Sequence, residues 1–280
     1  MEGEERRIES VTEEMSVDEI VRIARLAAEM GVSKIKLTGG EPLMRKDIIA
    51  IVKGIALVPG LKDLSMTTNG TLLGSLAKDL RRNGLRRVNI NLPSLSPEVY
   101  NKLTGGKVED VLEGLKAAVE AGFSPVKLNM VMLKGVNRNA VPEMIELARE
   151  TGAILQLIEL DPINVDNEFY SSHHKILDEY ETGLREKAVE VKTRQFMHNR
   201  RIYCLPDLKV EVVHPIENTD FCMHCTRLRV TSDGKLKPCL MRNDNLVDIL
   251  TPMRKGASDE ELKELFEIAN KKREPYNKRT

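Results

Sequence analysis

Between residues 16 and 160 helix-period stretches alternate with short apolar runs, five strands in all. Few architectures other than a parallel α/β sheet with right-handed crossovers satisfy that rhythm. A helix is expected over 16–31: Ser16 and Glu19 form a capping box, Ile20, Ile23, Ala24, Ala27 and Ala28 form an apolar stripe, and Gly31 closes it. Strands are expected at Lys34–Thr38, Leu64–Thr67, Arg87–Leu92, Val126–Leu133 and Ile154–Leu160. The intervening helices fall near 47–58, 74–83, 108–121 and 139–151. Apolar strands with polar residues at their C-terminal ends read as a barrel or partial barrel, in which chemistry collects at those ends. After Asp161 the rhythm breaks. A loop is expected over 161–172, a polar helix over 173–190, short strands around a cysteine site over 191–240, and a last helix from Ser258 to near Arg273. The domain division implied is 1–165 and 166–280, and the tail from Glu274 carries no structural signal.

Three of the four cysteines, Cys222, Cys225 and Cys239, stand in the pattern CxxC-x13-C. A CxxC turn brings two thiolates to one metal centre, and a hairpin with Asp233-Gly234 at its turn can return the third sulfur to it. Three thiolates suit an iron–sulfur cluster with one iron left open, or a zinc ion completed by His224, His214 or Cys204; the spacing alone leaves both open. Arg227 and Arg229, two residues apart on an expected strand, point to one face, and two forked cations beside a metal fit a phosphate-bearing ligand. Cys204 stands apart and reads as a buried or spare thiol.

Lys and Arg together number 43, as do Asp and Glu, so the chain has no overall basic field for nucleic acid or membrane, and anion binding must be local. Without tryptophan, and with 4% aromatic residues, it has no stacking surface for single strands. No apolar run has the length of a membrane span and no signal peptide precedes the first helix, so a cytoplasmic location is expected. In that reducing compartment, clustered cysteines bind metal more often than they pair.

Four features at the strand ends are candidates. Gly39-Gly40 before Glu41-Pro42 is either a tight turn or bare backbone whose carbonyls hold an ammonium group with help from Glu41. Lys36 and Lys127 lie on strands, where lysine fits a polar lumen or a solvated edge. Thr67 and Asn91 are hydrogen-bonders at or near strand ends, and Asn129 and Gln156 are polar groups in apolar strands that need partners. Walker A, GxGxxG and GxSxG motifs are all missing.

With Lys34-Ile-Lys-Leu-Thr-Gly-Gly-Glu-Pro42, Thr67-Thr-Asn-Gly70, Gly84-Leu-Arg-Arg-Val-Asn89, Lys127, Asn129, and Cys222-x-x-Cys-Thr-Arg-Leu-Arg229 followed by Cys239, nearly the whole chain resembles the MoaA family. These are radical-SAM GTP 3′,8-cyclases, lyases of molybdenum cofactor biosynthesis. The resemblance implies a partial (β/α)6 TIM-like barrel with a C-terminal iron–sulfur subdomain, and a 4Fe–4S cluster on Cys222, Cys225 and Cys239 that meets the GTP base, which favours iron over zinc. It also implies a GTP site of Lys36, Thr67, Lys127, Arg227, Leu228 and Arg229, and an S-adenosylmethionine (SAM) site including Gly40 and Asn91. The family reaction uses a 5′-deoxyadenosyl radical made from SAM at another cluster to join C3′ and C8 of GTP. The protein positions and shields; the cofactors carry the radical chemistry. The partners implied are GTP, an electron donor, the next enzyme of the pathway and a second copy in a homodimer.

The sequence also departs from the family. The family places CxxxCxxC ahead of the first helix, and here no cysteine precedes Cys204; the barrel's first strand is missing too. The expectation is a start placed just past that motif, Met1-Glu-Gly being a remnant of the loop beyond it. A second 4Fe–4S cluster is then expected only where that segment is present, and the chain as written keeps the GTP-side cluster without cleaving SAM. A barrel lacking its first strand would expose an edge and the apolar face of the helix over 16–31. The family commonly has Arg at Lys36, Ser at Asn91 and Asp at Pro93, and many members end in Gly-Gly where this chain ends Lys-Arg-Thr280. Two rival readings remain: a GTP-binding homologue without catalysis, and a zinc-stabilised interaction module.

Overall fold

The computed structural model describes residues 14–163, 165–194, 200–215 and 222–274. The readings of Met1-Glu-Gly and of the tail beyond Glu274 lie outside the described residues. The alternating part runs α1 (Val17–Glu29), β1 (Lys34–Leu37), α2 (Ile48–Ala56), β2 (Asp63–Thr68), α3 (Leu73–Arg82), β3 (Arg87–Asn91), α4 (Pro97–Thr104), α5 (Val108–Glu120), β4 (Val126–Met132), α6 (Val141–Thr151) and β5 (Ile154–Glu159). Then follow α7 (Asn167–His173), α8 (Asp178–Lys187), β6 (Glu190–Arg194), β7 (Arg200–Cys204), β8 (Lys209–Val213), β9 (Arg229–Val230), β10 (Lys235–Lys237), β11 (Val247–Asp248), α9 (Leu250–Arg254) and α10 (Asp259–Lys271).

The larger sheet has the order β1-β2-β3-β4-β5-β8-β7-β6. β1 to β5 and β8 are parallel, and β7 and β6 run antiparallel at one edge. Helices back the parallel strands, giving the α/β, partial TIM-like barrel. Among the described residues β1 forms the other edge. Strand period two sorts side chains between two unlike environments. Leu64 and Met66, Val88 and Ile90, Leu128 and Met130, and Leu155 and Leu157 are buried under the helices; the alternate residues face inward.

Four expectations need correction. The loop expected over 161–172 contains α7, because Asp166 accepts a hydrogen bond from the Phe169 amide at 2.6 Å and starts a helix. The polar helix expected over 173–190 is confined to Asp178–Lys187. β6, β7 and β8 do not surround the cysteines but extend the large sheet. Nor is the apolar face of α1 bare. Ile23, Leu26 and Ala27 pack with Leu250, Met253, Leu262, Phe266 and Ala269 of α9 and α10 and with Leu236 and Val247, a second core distinct from the main one. Arg22 and Arg25 reach Asp259 across this contact, and Glu19 reaches Arg254. The C-terminal region is thereby fastened to the first helix of the barrel. No helix among the described residues is long and apolar enough to cross a membrane.

The turn after β2 sets how closely α5 approaches the sheet. Gly70 adopts φ +85°, and a Cβ on Gly114 of α5 would sit 2.0 Å from the Gly70 carbonyl oxygen. Only glycine fits that contact. Gly114→Ala is expected to destabilise the fold by about 1–3 kcal/mol through overpacking, read as a lower denaturation midpoint of the metal-free chain.

Candidate functional site

The inward rows are polar, and the strand register brings them side by side. Lys36 lies opposite Ser65, and Ser65 opposite Arg87. Thr67, Asn89 and Lys127 form the next row. Asn91, Asn129, Gln156 and Glu211 form the one above. A cavity of ≈ 360 Å³ opens at the ends of β2 to β4, lined by Asn69, Thr71, Asn91, Tyr100 and Asn129 among others. The Asn129 side-chain amide donates to Asn91 Oδ1 at 3.0 Å.

Deeper in the lumen the side chains are cationic. Lys127 forms a buried ion pair with Glu211, whose other contacts are Arg194 at 3.2 Å, Arg200 at 3.8 Å and the Gln156 amide at 3.1 Å. Burial works against the Glu211 charge, but Lys127 and the arginines outweigh it and hold its carboxyl below the usual range. The cations disfavour one another. Burial, then Arg227, Lys127 and Arg200, push Lys36 down to about 7, although the open lumen leaves its side chain in contact with solvent. Burial pushes Lys127 down to about 8 despite Glu211. Burial with Arg200 and Arg229 brings Arg227 down to about 10. Lys36, Lys127 and Arg227 are thus each disfavoured by neighbouring cations, and a multivalent anion would relieve them. The structure brings together Lys36, Lys127 and Arg227 among the sequence candidates, with half-buried Thr67 in the row of Lys127. Leu228 turns its side chain into the second core, so any contact with a ligand falls to its backbone.

Sequence reasoning missed Arg194, Arg200 and Glu211. A signal was present: Glu211 interrupts a run of valines, as Lys127 interrupts β4.

The Gly39-Gly40 loop is shaped by Glu41. Its carboxylate accepts hydrogen bonds from the Thr68 hydroxyl at 2.7 Å, the Asn69 amide at 2.6 Å and the Leu43 amide at 3.0 Å, fixing the loop to the end of β2. Gly39 adopts φ +152°, and open space surrounds both glycines where a Cβ would stand. Exposed Gly40 follows β1 and exposed Asn91 ends β3, with β2 between the two strands and bare backbone available at the first.

The cysteine region adjoins these cations. Cys222, Cys225 and Cys239 are free and half-buried. β9 and β10 pair through Leu236 and Val230 and through Lys237 and Arg229, with Gly234 at φ +72° in the turn, which returns the chain toward Cys239. Burial pushes Arg229 down, while Cys225 and Cys239 pull it back up, so its guanidinium lies by both sulfurs. Arg273 donates to the carbonyls of Cys225 at 2.5 Å and Arg227 at 2.9 Å, pinning the loop from behind. Among the described residues, the one group whose ligand atoms all lie within 4.8 Å of one another is Asp178, Glu181 and His214. Three thiolates are a donor set that fits a cluster with one iron left open. Two of the fourth ligands considered for zinc are elsewhere: Cys204 is buried in β7, and the His214 ring contacts Glu159 at 2.7 Å and Glu181 at 3.5 Å.

Residues 4–148 match the family model described as Radical SAM superfamily, and residues 153–279 match the one described as Molybdenum Cofactor Synthesis C. A probable GTP 3′,8-cyclase of Thermococcus kodakarensis is 50% identical over 270 residues, covering 94% of this chain and 87% of that protein. A probable GTP 3′,8-cyclase of Methanocaldococcus jannaschii is 45% identical over 94% of this chain and 86% of its own length. Among solved structures, Streptococcus suis SuiB bound to S-adenosylmethionine superposes with TM-score 0.57 at 18% identity, over 81% of this chain and 53% of that one. That likeness is one of fold.

Arg273→Ala is expected to release the loop carbonyls. In the metal-free chain, alkylation of Cys222 and Cys225 should quicken several-fold while buried Cys204 keeps its rate. Stability should fall by about 1–3 kcal/mol through the lost charged hydrogen bonds. Unchanged alkylation would show that the loop holds its shape without Arg273.

Proposed function

The chain belongs to the radical SAM superfamily and, within it, to the GTP 3′,8-cyclases of molybdenum cofactor biosynthesis, and we propose that its lumen binds GTP with the triphosphate on Lys36, Lys127 and Arg227 and the base toward the cysteine region. The observation that carries this reading is the gathering of Lys36, Lys127 and Arg227, each pushed down by burial and by neighbouring cations, beside three cysteines. A nucleoside triphosphate brings negative charge to them, and its base is left on the side where Arg227 and Arg229 meet Cys225. Membership of the superfamily implies a 4Fe–4S cluster and SAM. Cys222, Cys225 and Cys239 are the proposed ligands of a substrate-side 4Fe–4S cluster. Gly40 and Asn91, beside the cavity at the ends of β2 to β4, are the proposed contacts for SAM.

When bound, SAM and the iron–sulfur chemistry of the family supply the radical reaction that joins C3′ and C8 of GTP. This chain's residues act on the ligands themselves. Lys36 and Lys127 neutralise phosphate oxygens and, with Arg227, fix the direction of the nucleotide. Thr67 offers a hydroxyl to the same row. Arg229 counters thiolate charge at Cys225 and Cys239. Glu41 holds the glycine loop in place, and the Asn91–Asn129 pair shapes the cavity wall. An electron donor and a following enzyme that consumes the cyclic nucleotide are the partners this reaction requires, and the cytoplasm is where the reading places it.

Two measurements test the reading. After anaerobic reconstitution, Cys222, Cys225 and Cys239 should together hold about four iron and four sulfide per cluster; Cys225→Ser should lose them, and zinc without labile sulfide would overturn the assignment. Binding of GTP should also take up protons. Lys36 and Lys127 have values of about 7 and about 8 in the free site, and phosphates raise both, since the ammonium forms bind. Affinity should therefore fall as pH rises through about 7 to 9, by at most about tenfold per unit for each lysine. Lys36→Met should remove its share of the slope, measured by calorimetry in buffers of different ionisation enthalpy.

A further inference from the structure

Three consecutive residues at the end of α10 face the cysteine-bearing segments, and each makes a different kind of bond. The carbonyl of Lys272, one of those a helix end leaves without an intrahelical partner, accepts from the Asn245 side-chain amide at 3.1 Å. Arg273 donates to the carbonyls of Cys225 and Arg227. The Glu274 carboxylate accepts from Arg242 at 3.0 Å. Arg273 thus reaches the CxxC segment. Asn245 and Arg242 belong to the other segment, the loop over 238–246 that joins β10 to β11 and carries Cys239.

That loop is held as a unit. Lys237 at its start donates to Asn243 at 2.6 Å, Arg242 pairs with Asp244 at 2.6 Å, and Asn245 is only 7% exposed. Its flanking strands place Leu236 and Val247 in the second core with Leu262, Phe266 and Ala269 of α10. α10 is tied in turn to α1, by Asp259 with Arg22 and Arg25 and by Lys263 with Glu29 at 2.7 Å. The pairing of β9 with β10 ends at Arg229 and Lys237, so Cys225 and Cys239 both lie beyond the ladder and its hydrogen bonds do not fix them. What reaches both segments is the end of one helix that the barrel itself holds. The charge there is suitable as well. A helix C-terminus carries partial negative charge that opposes thiolates, and Arg242 and Arg273 set cations against it.

We propose that the last turn of α10 sets the distance between Cys239 and the CxxC pair before any metal arrives, with Asn245 and Arg242 as positioning residues for Cys239, as Arg273 is for Cys225. The inference rests on the reading of the three cysteines as one ligand set, and it names what assembles that set. Donors already in place bind a metal centre more tightly, because the entropy of ordering two loops has been lost on folding and is not lost again on binding.

Alkylation of each cysteine in the metal-free full chain, followed by mass spectrometry for wild type, Asn245→Leu, Arg242→Gln and Arg273→Ala, decides it. Asn245→Leu and Arg242→Gln should quicken Cys239 several-fold while Cys222 and Cys225 keep near wild-type rates, and Arg273→Ala should do the reverse. Arg242→Lys, which keeps a cation for Glu274, should restore most of the wild-type rate at Cys239. In the reconstituted chain, Asn245→Leu and Arg242→Gln should speed the loss of iron to a chelator by about tenfold or more. Cys204, buried in β7, reports any general loosening of the fold, and Arg242, with its side chain 25% exposed, supplies a variant that leaves the core untouched. An unchanged Cys239 in both variants, or all four cysteines quickening together, would overturn the positioning role. Wild type that takes up no iron and sulfide would instead overturn the ligand-set reading, while the alkylation pattern still judges the helix end.

Discussion

The buried pair of Lys127 and Glu211 is the interaction on which the lumen depends. It spans from β4 to β8 across β5, with side chains 7% and 1% exposed. Taking two charges out of water costs several kcal/mol each, and their attraction recovers that only with good geometry and further hydrogen bonds. Gln156 and Arg194 supply those bonds, and Arg200 adds its charge at 3.8 Å. Even so, apolar residues of similar volume would serve stability as well or better. What apolar residues would not do is hold three cations at fixed positions in a pocket. The arrangement makes physical sense as the wall of an anion site, and the downward push of burial and neighbouring cations on Lys36, Lys127 and Arg227 is the cost of keeping it ready.

That wall is completed from outside the parallel sheet. Arg227 and Arg229 belong to the C-terminal region, which is held to the barrel by the second core around Leu26, Leu262 and Phe266. The ion pairs along the seam, Arg22 and Arg25 with Asp259 and Glu19 with Arg254, are partly exposed, and each contributes at most about 1 kcal/mol. Apolar burial carries the attachment, and the charges fix its register. Through this packing α1 serves two masters, presenting Ala24 to the main core and Ile23, Leu26 and Ala27 to the second. The cysteine loop therefore reaches the lumen because a helix at the start of the barrel is apolar on two sides.

Much of this was legible in the chain. The alternation of strands and helices, the capping boxes at Ser16 and Ser258, and the lysines on β1 and β4 all carry local signals with a direct physical reading. The apolar width of α1 was legible too, but what covers it was not, because its partners lie more than two hundred residues away. Arg194, Arg200 and Glu211 escaped for a related reason. Glu211 is marked by the valines around it, but its meaning depends on β8 pairing in parallel with β5, a non-local choice that no local pattern specifies. The hairpin of β6 and β7 then adds its arginines at the sheet's edge. α4 and α7 were missed even though Ser96 and Asp166 cap them, because both are short and interrupt what reads as loop.

The face of the strand separates the lumen from the other polar cluster beside β8. On the helix side, Glu159 binds His174 at 2.6 Å and His214 at 2.7 Å, while Glu181 takes Tyr203 at 2.8 Å, His214 at 3.5 Å and Arg201 at 3.4 Å. Burial works against the His214 charge, but the two glutamates prevail and raise it to about 9, so the ring is an imidazolium at neutral pH. With both ring nitrogens against carboxylates and a proton on each, His214 fits an ion-pair network better than a metal ligand, which must be neutral. The outer cluster thus interleaves carboxylates with basic groups and joins α8 to the sheet. Across the strand, Glu211 is approached by Lys127, Arg194 and Arg200. The two clusters use the same kinds of residue within a few positions of one another. The inner one faces the lumen with Lys36 and Arg227 alongside, and that placement is what fits it to hold a ligand.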